Sequence, residues 1–422
     1  MMSSDYESAE RLARGIPLRE ALDTSSAEAW TALDLGVRIL SYEAPGLLPS
    51  HDWAGGRRLS WSWDAPLPSV NWSRTPPDEP LLAVALCHPD GRIRKAALEW
   101  VPRSPALRPL LVVRCADWAG PVRDRARALF SEIPGRELPP LTALALRLSR
   151  REQGDFARER LDRALREGPA EDVVALLTSE DRATRRFVYR IAVDRGLLAP
   201  ATLARTAAAA SDDVRIQTLC AEAAIAGVRD GAYDEVLGSL LSARSSQVRA
   251  AGVTALRRAG RQGEAAAFLA DRSGVVRACA RYVLRQGGID PLPLYRSMCA
   301  DPAACPAAPA GLGECGTRED APALWSLVTH PVPVPAVRVH AVTGLRALDA
   351  VRHEQLLPLL DDPSPAVVRA VTQALLPDAD RIPHEWLLVR TGANRPRALR
   401  VAAERLLRAH VRATVRQRRP AG

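Results

Sequence analysis

Leu356-Leu357-Pro358-Leu359-Leu360-Asp361-Asp362-Pro363-Ser364-Pro365-Ala366-Val367-Val368-Arg369-Ala370-Val371, continuing to Leu375 and Leu376, is the stretch that decides the fold. An apolar run closes on Asp361-Asp362-Pro363. Ser364 then stands where an N-cap belongs, with Pro365 at the first helical position, where its missing N–H costs nothing. Val367, Val368, Val371, Leu375 and Leu376 recur at helical spacing and make one apolar stripe. The stretch predicts a helix, a tight turn and a second helix.

The same pattern, anchored on Arg369, returns at Arg94, Arg123, Arg185, Arg215, Arg249, Arg277, Arg338 and Arg400. Two spacings are double and leave room for degenerate copies around Arg158 and Pro309. With those copies counted, the period is about 31 residues. The residue before the anchor is apolar in all copies but one, where Thr184 stands: Ile93, Val122, Val214, Val248, Val276, Val337, Val368 and Leu399. Three residues after it the side chain is mostly small, as at Ala97, Ala126, Gly252, Ala280, Ala341 and Ala403. Small residues at one fixed place let the second helix of each unit approach its neighbour. A thirty-residue hairpin cannot bury its stripe alone, so the chain must grow lengthwise by stacking. The expected fold is all-α, an α-solenoid of about eleven helical hairpins. Nine are well formed and two degenerate.

These residues resemble the HEAT-like (armadillo-type) repeat family, in particular its short bacterial lyase-type form, with its Asp-Pro turn, Val-Arg pair and following Ala/Leu helix. The resemblance covers about residues 80–410. The period is shorter than the roughly 40–47 residues of standard HEAT and armadillo units. Ankyrin and tetratricopeptide arrays lie closer in period, but no repeated Thr-Pro-Leu-His or Trp-x-x-Leu-Gly occurs.

Residues 1–79 read differently. Trp30, Leu33, Val37 and Leu40 fall on one helical face within residues 1–42, while residues 45–80 carry Trp53, Trp61, Trp63 and Trp72 among Pro, Gly and Ser. Leu59, Trp61 and Trp63 alternate with polar residues, which suggests an extended edge. One reading makes residues 1–79 a cap over the open face of the first repeat. The other makes Trp61, Trp63 and Trp72 a contact surface for a partner. The solenoid itself is expected over residues 80–422.

A chain of 422 residues with 47% hydrophobic and 25% charged side chains belongs with folded globular proteins. No basic-then-apolar leader opens it, and no run approaches 18 uncharged apolar residues. Seven cysteines, an odd number, read as free thiols, and the cytoplasm is the expected compartment. The formal charge is +9, and Lys95 is the only lysine. Ten arginines and one acid, Glu404, in residues 390–422 account for all of that charge, which leaves residues 1–389 neutral. A long nucleic-acid groove is therefore not indicated. Arg408, Arg412, Arg416, Arg418 and Arg419 are the candidate contacts there, for an acidic protein, nucleic acid or anionic surface. The alternative is a solvated terminal helix. Twelve acids against seven arginines in residues 1–80 also allow head-to-tail self-association.

Other motifs carry less. The anchor arginines sit where each can reach turn carbonyls or an aspartate such as Asp90, Asp181, Asp213, Asp271 or Asp362, which makes them structural first. Gly311-Leu312-Gly313-Glu314-Cys315-Gly316 matches G-x-G-x-x-G, but no strand precedes it, and Gly316 reads as a helix terminator. Cys299, Cys305 and Cys315, with His330 beyond, lack the local pairs of a zinc site. No metal or cofactor is expected. Asp117-Trp118, with Trp100 in the preceding unit, is the one candidate for catalysis. Among HEAT-like folds, alkylpurine DNA glycosylases use an aspartate with aromatic residues on a basic concave face. No Ser/His/Asp elbow, phosphate loop or HExxH helix occurs. The sequence thus favours a non-enzymatic scaffold for a protein partner, with a nucleic-acid binder second and a lyase-type enzyme or accessory factor third.

Overall fold

The computed structural model describes residues 4–48, 77–209, 213–229, 231–329 and 334–417. Among the described residues the regular elements are twenty-four α-helices and short 3-10 segments, with no strand. The chain divides into two compact units, Met1–Leu198 and Ala199–Gly422.

The first unit opens with α1 (Ser4–Ala13), α2 (Leu18–Ala21) and α3 (Ala27–Glu43). Four hairpins follow: α4 (Glu79–Cys87) with α5 (Gly91–Leu98), α6 (Arg108–Arg114) with α7 (Gly120–Glu132), α8 (Thr142–Leu148) with α9 (Asp155–Glu167), and α10 (Ala170–Leu176) with α11 (Arg182–Asp194). The first helices α4, α6 and α8 pack in one row and the second helices α5, α7 and α9 in another. That is solenoid stacking. Helix α3 packs against α4, α6 and α8, across three successive hairpins. Trp30, Leu33, Val37 and Leu40 form its buried stripe, in one core with the hairpin residues through Leu161. Each such side chain contributes about 1.5–3 kcal/mol on leaving water, which a lone hairpin could not gather.

The second unit continues the repeat with α12 (Pro200–Ala208) and α13 (Val214–Gly227), then α14 (Asp234–Leu241) and α15 (Ser246–Arg258). A 3-10 segment, Gln262–Phe268, stands in for the first helix before α16 (Gly274–Gln286). Then come α17 (Pro291–Ala300) with α18 (Ala308–Cys315), α19 (Ala321–Thr329) with α20 (Pro335–Ala347), α21 (His353–Leu356) with α22 (Pro365–Leu375), and α23 (His384–Arg390) with α24 (Arg397–Gln417). Counting the 3-10 segment as a helix gives eleven hairpins.

The turn between the helices of a hairpin is capped differently from the sequence expectation. Ser364 occupies the N-cap of α22 but its side chain makes no capping bond. Its backbone N–H instead donates to Asp362 Oδ1 at 2.8 Å. Ser273 N–H donates to Asp271 and Ala119 N–H to Asp117 in the same way, at 2.8 and 2.9 Å. The residue two before the N-cap organises the turn, and His88 Nδ1 and Ser179 Oγ take its place for Asp90 and Asp181.

Candidate binding site

In three hairpins the aspartate that shapes the turn also receives the anchor arginine of the preceding hairpin. Arg94 donates to both oxygens of Asp117 at 2.9 and 2.8 Å, and Arg249 does the same to Asp271 at 2.8 Å twice. Arg338 reaches Asp362 at 3.1 Å. In each of these helices the arginine is the fourth helical residue, one turn in. Its remaining nitrogen turns back to carbonyls of its own turn: Arg94 to His88 and Pro89, Arg249 to Ala243 and Arg244. Arg123 and Arg185 keep only those carbonyl bonds. Arg277 pairs instead with Glu314 of α18, where the degenerate hairpin lacks the turn aspartate. Arg400 also holds the fourth position, whereas Arg215 stands second and Arg369 fifth, both exposed. Gln217 and Val368 fill the slot in those two hairpins and are buried.

In the first unit the ladder widens into a site. There Arg114, at the end of α6 and 1% exposed, donates to Asp117 Oδ2 at 2.8 Å and also pairs with Asp34 of α3. Asp117 accepts from Arg94 and Ala119 on Oδ1 and from Arg94 and Arg114 on Oδ2. Burial alone would raise its carboxyl, but Arg114 and Arg94 hold it below the ordinary carboxylate range. Above this network lies a cleft of about 640 Å³, lined by α3, the α6–α7 turn and the C-terminal side of α8. Arg38, Arg147 and Arg151 stand on it with Glu28, and Trp118 (64% exposed) and Leu35 (52%) supply apolar surface. Arg38 sits 3.5 Å from Asp34, and Arg147 reaches Glu28 at 3.2 Å. The Arg151 side chain makes no hydrogen bond or ion pair among the described residues, although its backbone N–H donates to Leu148 O at 2.9 Å.

The other motifs resolve physically. Gly311 and Gly313 of the G-x-G-x-x-G stretch lie inside α18, where both permit close packing. A Cβ on Gly311 would fall 2.1 Å from the ring of Tyr295, and one on Gly313 would fall 2.2 Å from Gly344 Cα on α20. Gly316 is the C-cap, in extended rather than left-handed geometry. Cys299, Cys305 and Cys315 are half-buried free thiols, and no group of metal-ligating side chains occurs among the described residues. His330 lies outside the described residues. Trp100 packs on the core of the first unit, with the Arg103 guanidinium over its ring. Of the C-terminal arginines, Arg408 and Arg412 lie with Arg405 on one face of α24, beside Leu376, Pro377 and Asp380. Arg416 lies within α24, while Arg418, Arg419, Trp53, Trp61, Trp63 and Trp72 fall outside the described residues.

No family model and no curated protein matches the chain. Among solved structures it is similar to Kap121p bound to Pho4p, at 14% identity over 76% of this chain and 44% of that one, with a TM-score of 0.28. The figures for Kap121p bound to Nup53p are 14%, 78%, 44% and 0.29. An engineered protein shares 15% identity over 72% of this chain and 95% of its own, at a TM-score of 0.13. The chain spans less than half the length of the Kap121p structures it matches. No helix among the described residues is long and apolar enough to cross a membrane.

Asp34, Arg38, Arg114, Arg147 and Arg151 were not singled out by motif. The signal was nonetheless present. Asp34 shares the stripe of Trp30 and Val37, and Arg114 ends the apolar run Leu110-Leu111-Val112-Val113. A charge inside an apolar run must be paired or change its protonation.

Proposed function

We propose that this chain is a binding scaffold for a protein partner and that the cleft of the first unit is where the partner docks. The state of Asp117 carries the reading. Its oxygens already accept four hydrogen bonds from buried donors, so no lone pair is left to take a proton from a substrate or to attack one. The carboxylate works as the keystone of a fixed surface. Around it are an exposed indole and guanidiniums, side chains enriched at protein–protein contacts, with the exposed Leu35 adding apolar area. The row Arg405, Arg408 and Arg412 favours nucleic acid as a second reading. The two separate experimentally. The full chain is used as bait in its native host, and the captured protein is purified and titrated back by calorimetry after nuclease treatment. Stoichiometric rebinding supports the scaffold. Captured material that disappears with nuclease, together with duplex DNA binding that weakens steeply with salt, supports the second reading and overturns the first.

A further inference from the structure

The charges around the cleft do not balance. The buried Asp34 and Asp117 face three arginines, the buried Arg94 and Arg114 and the half-buried Arg38. Glu28 is matched by Arg147. The Arg151 side chain has no carboxylate within ion-pair distance among the described residues, so five guanidiniums meet three carboxylates and two positive charges are left over. Desolvation lowers the affinity of Arg151 for its proton. Asp34 works against that effect, and Arg114, Arg38 and Arg147 add to it. The Nε–H groups of Arg38 and Arg114 are buried and meet no acceptor among the described residues. Excess cation, unused donors and a partly desolvated wall converge on one spot, where a charge-assisted bond is stronger than in open water.

The apolar surface lies at the same place. Trp118 and Leu35 are among the most exposed large hydrophobic side chains of the first unit, and both line this cleft. From this we infer that the cleft binds an acidic segment of a protein partner, taking two neighbouring carboxylates on Arg151 and Arg38 and an adjacent apolar side chain against Trp118 and Leu35. This rests on the scaffold reading and gives it a ligand class. A nucleic-acid strand fits less well. It needs cations over many residues, whereas here the excess is two charges, bounded by the exposed carboxylate of Glu28 and set in a neutral 1–389 stretch.

The test is selection of a displayed library of random nonapeptides on the full chain, in parallel with Arg151→Glu. The Arg151 side chain makes no hydrogen bond or ion pair among the described residues and its backbone bonds survive the substitution, so the variant should melt with the wild type. Peptides enriched on the wild type should carry two acids within three positions and a neighbouring apolar residue. Synthetic copies should lose about ten- to a hundred-fold in affinity on Arg151→Ala, and as much when their acids become amides. Trp118→Ala should weaken the same peptides. Enrichment without acids, equal binding to Arg151→Glu, no enrichment at all, or tighter binding of a nine-nucleotide single strand than of any acidic peptide would each overturn the inference. If the peptides fail while the captured partner still rebinds the full chain, the cleft assignment falls and the scaffold reading stands.

Discussion

Replacing Asp117 by alanine should destabilise the first unit more than any other single charge removal in the ladder. The substitution strips two guanidiniums, Arg94 at 0% exposure and Arg114 at 1%, of their shared acceptor and frees the Ala119 N–H. Arg114 keeps Asp34, and Arg94 keeps the carbonyls of His88 and Pro89, but Arg94 loses its only counter-charge. Removing one member of a buried pair costs about 3–5 kcal/mol, because the survivor stays buried and charged. In a unit this size that corresponds to roughly 6–20 °C in melting temperature. The assay is a thermal melt of the full chain with hydrogen exchange over the α5 and α7 turns, since two compact units need not melt together. Acid supplies a second check. The Asp117 carboxyl is depressed in the fold, so its stabilisation is complete above the unfolded carboxylate value and disappears as pH falls through the folded one. The gap between wild type and Asp117→Asn should therefore be widest at neutral pH and close on acidification. A melt within about 2 °C of wild type at pH 7 with exchange unchanged, or a gap that widens in acid, would refute the reasoning.

Four further outcomes follow from the geometry. Arg249→Ala should cost about 1–3 kcal/mol in denaturant unfolding, because Asp271 and two carbonyls lose their donor, whereas exposed Arg369→Ala should stay within about 0.5 kcal/mol. Gly313→Ala forces a methyl against Gly344 and should cost about 1–3 kcal/mol in melts of the second unit. Gly238→Ala in α14, where a methyl meets nothing within 4 Å, should stabilise by about 0.5–1 kcal/mol. Burial pushes the Cys87 thiol up to about 12, so a thiol reagent at neutral pH should leave Cys87 and the equally buried Cys115 unmodified until the chain is denatured.

The fold was legible because stacking leaves a trace at every copy. Val-Arg at the start of a second helix and a small residue three positions on are local requirements, and Val122, Ala126, Val276 and Ala280 are all fully buried or nearly so. Register was less legible. An arginine near the right place drew the anchor to Arg215 and Arg369, while the slot itself holds Gln217 and Val368, because sequence spacing does not fix where a helix begins. The cleft was the least legible feature. Its charges come from three segments, residues 28–38, 114–117 and 147–151, the first far from the other two as in the Asp34–Arg114 pair, and no short window of sequence contains them together. The Asp117-Trp118 pair, the sequence's one candidate for catalysis, lies on that cleft, but its aspartate is saturated and only its indole is exposed.

The abundance of arginine obscures function here in a way that pairing removes. Fifty-seven arginines cannot all mark partner contacts, and a map of positive charge would highlight the ladder as strongly as any site. A guanidinium spent on a turn aspartate and two carbonyls has no donor free for a ligand, however conspicuous its spacing. Arg94 and Arg249 are in that state, and Arg277 is spent on Glu314 and the Asp271 carbonyl. Arg151, Arg408 and Arg412, which have no ion pair among the described residues, are not. Of these, Arg151 alone stands in a cleft where neighbouring cations oppose its charge and exposed aromatic surface adjoins it. In a repeat protein built on ion pairs, the arginines left over after pairing locate the binding surface better than the arginines that repeat.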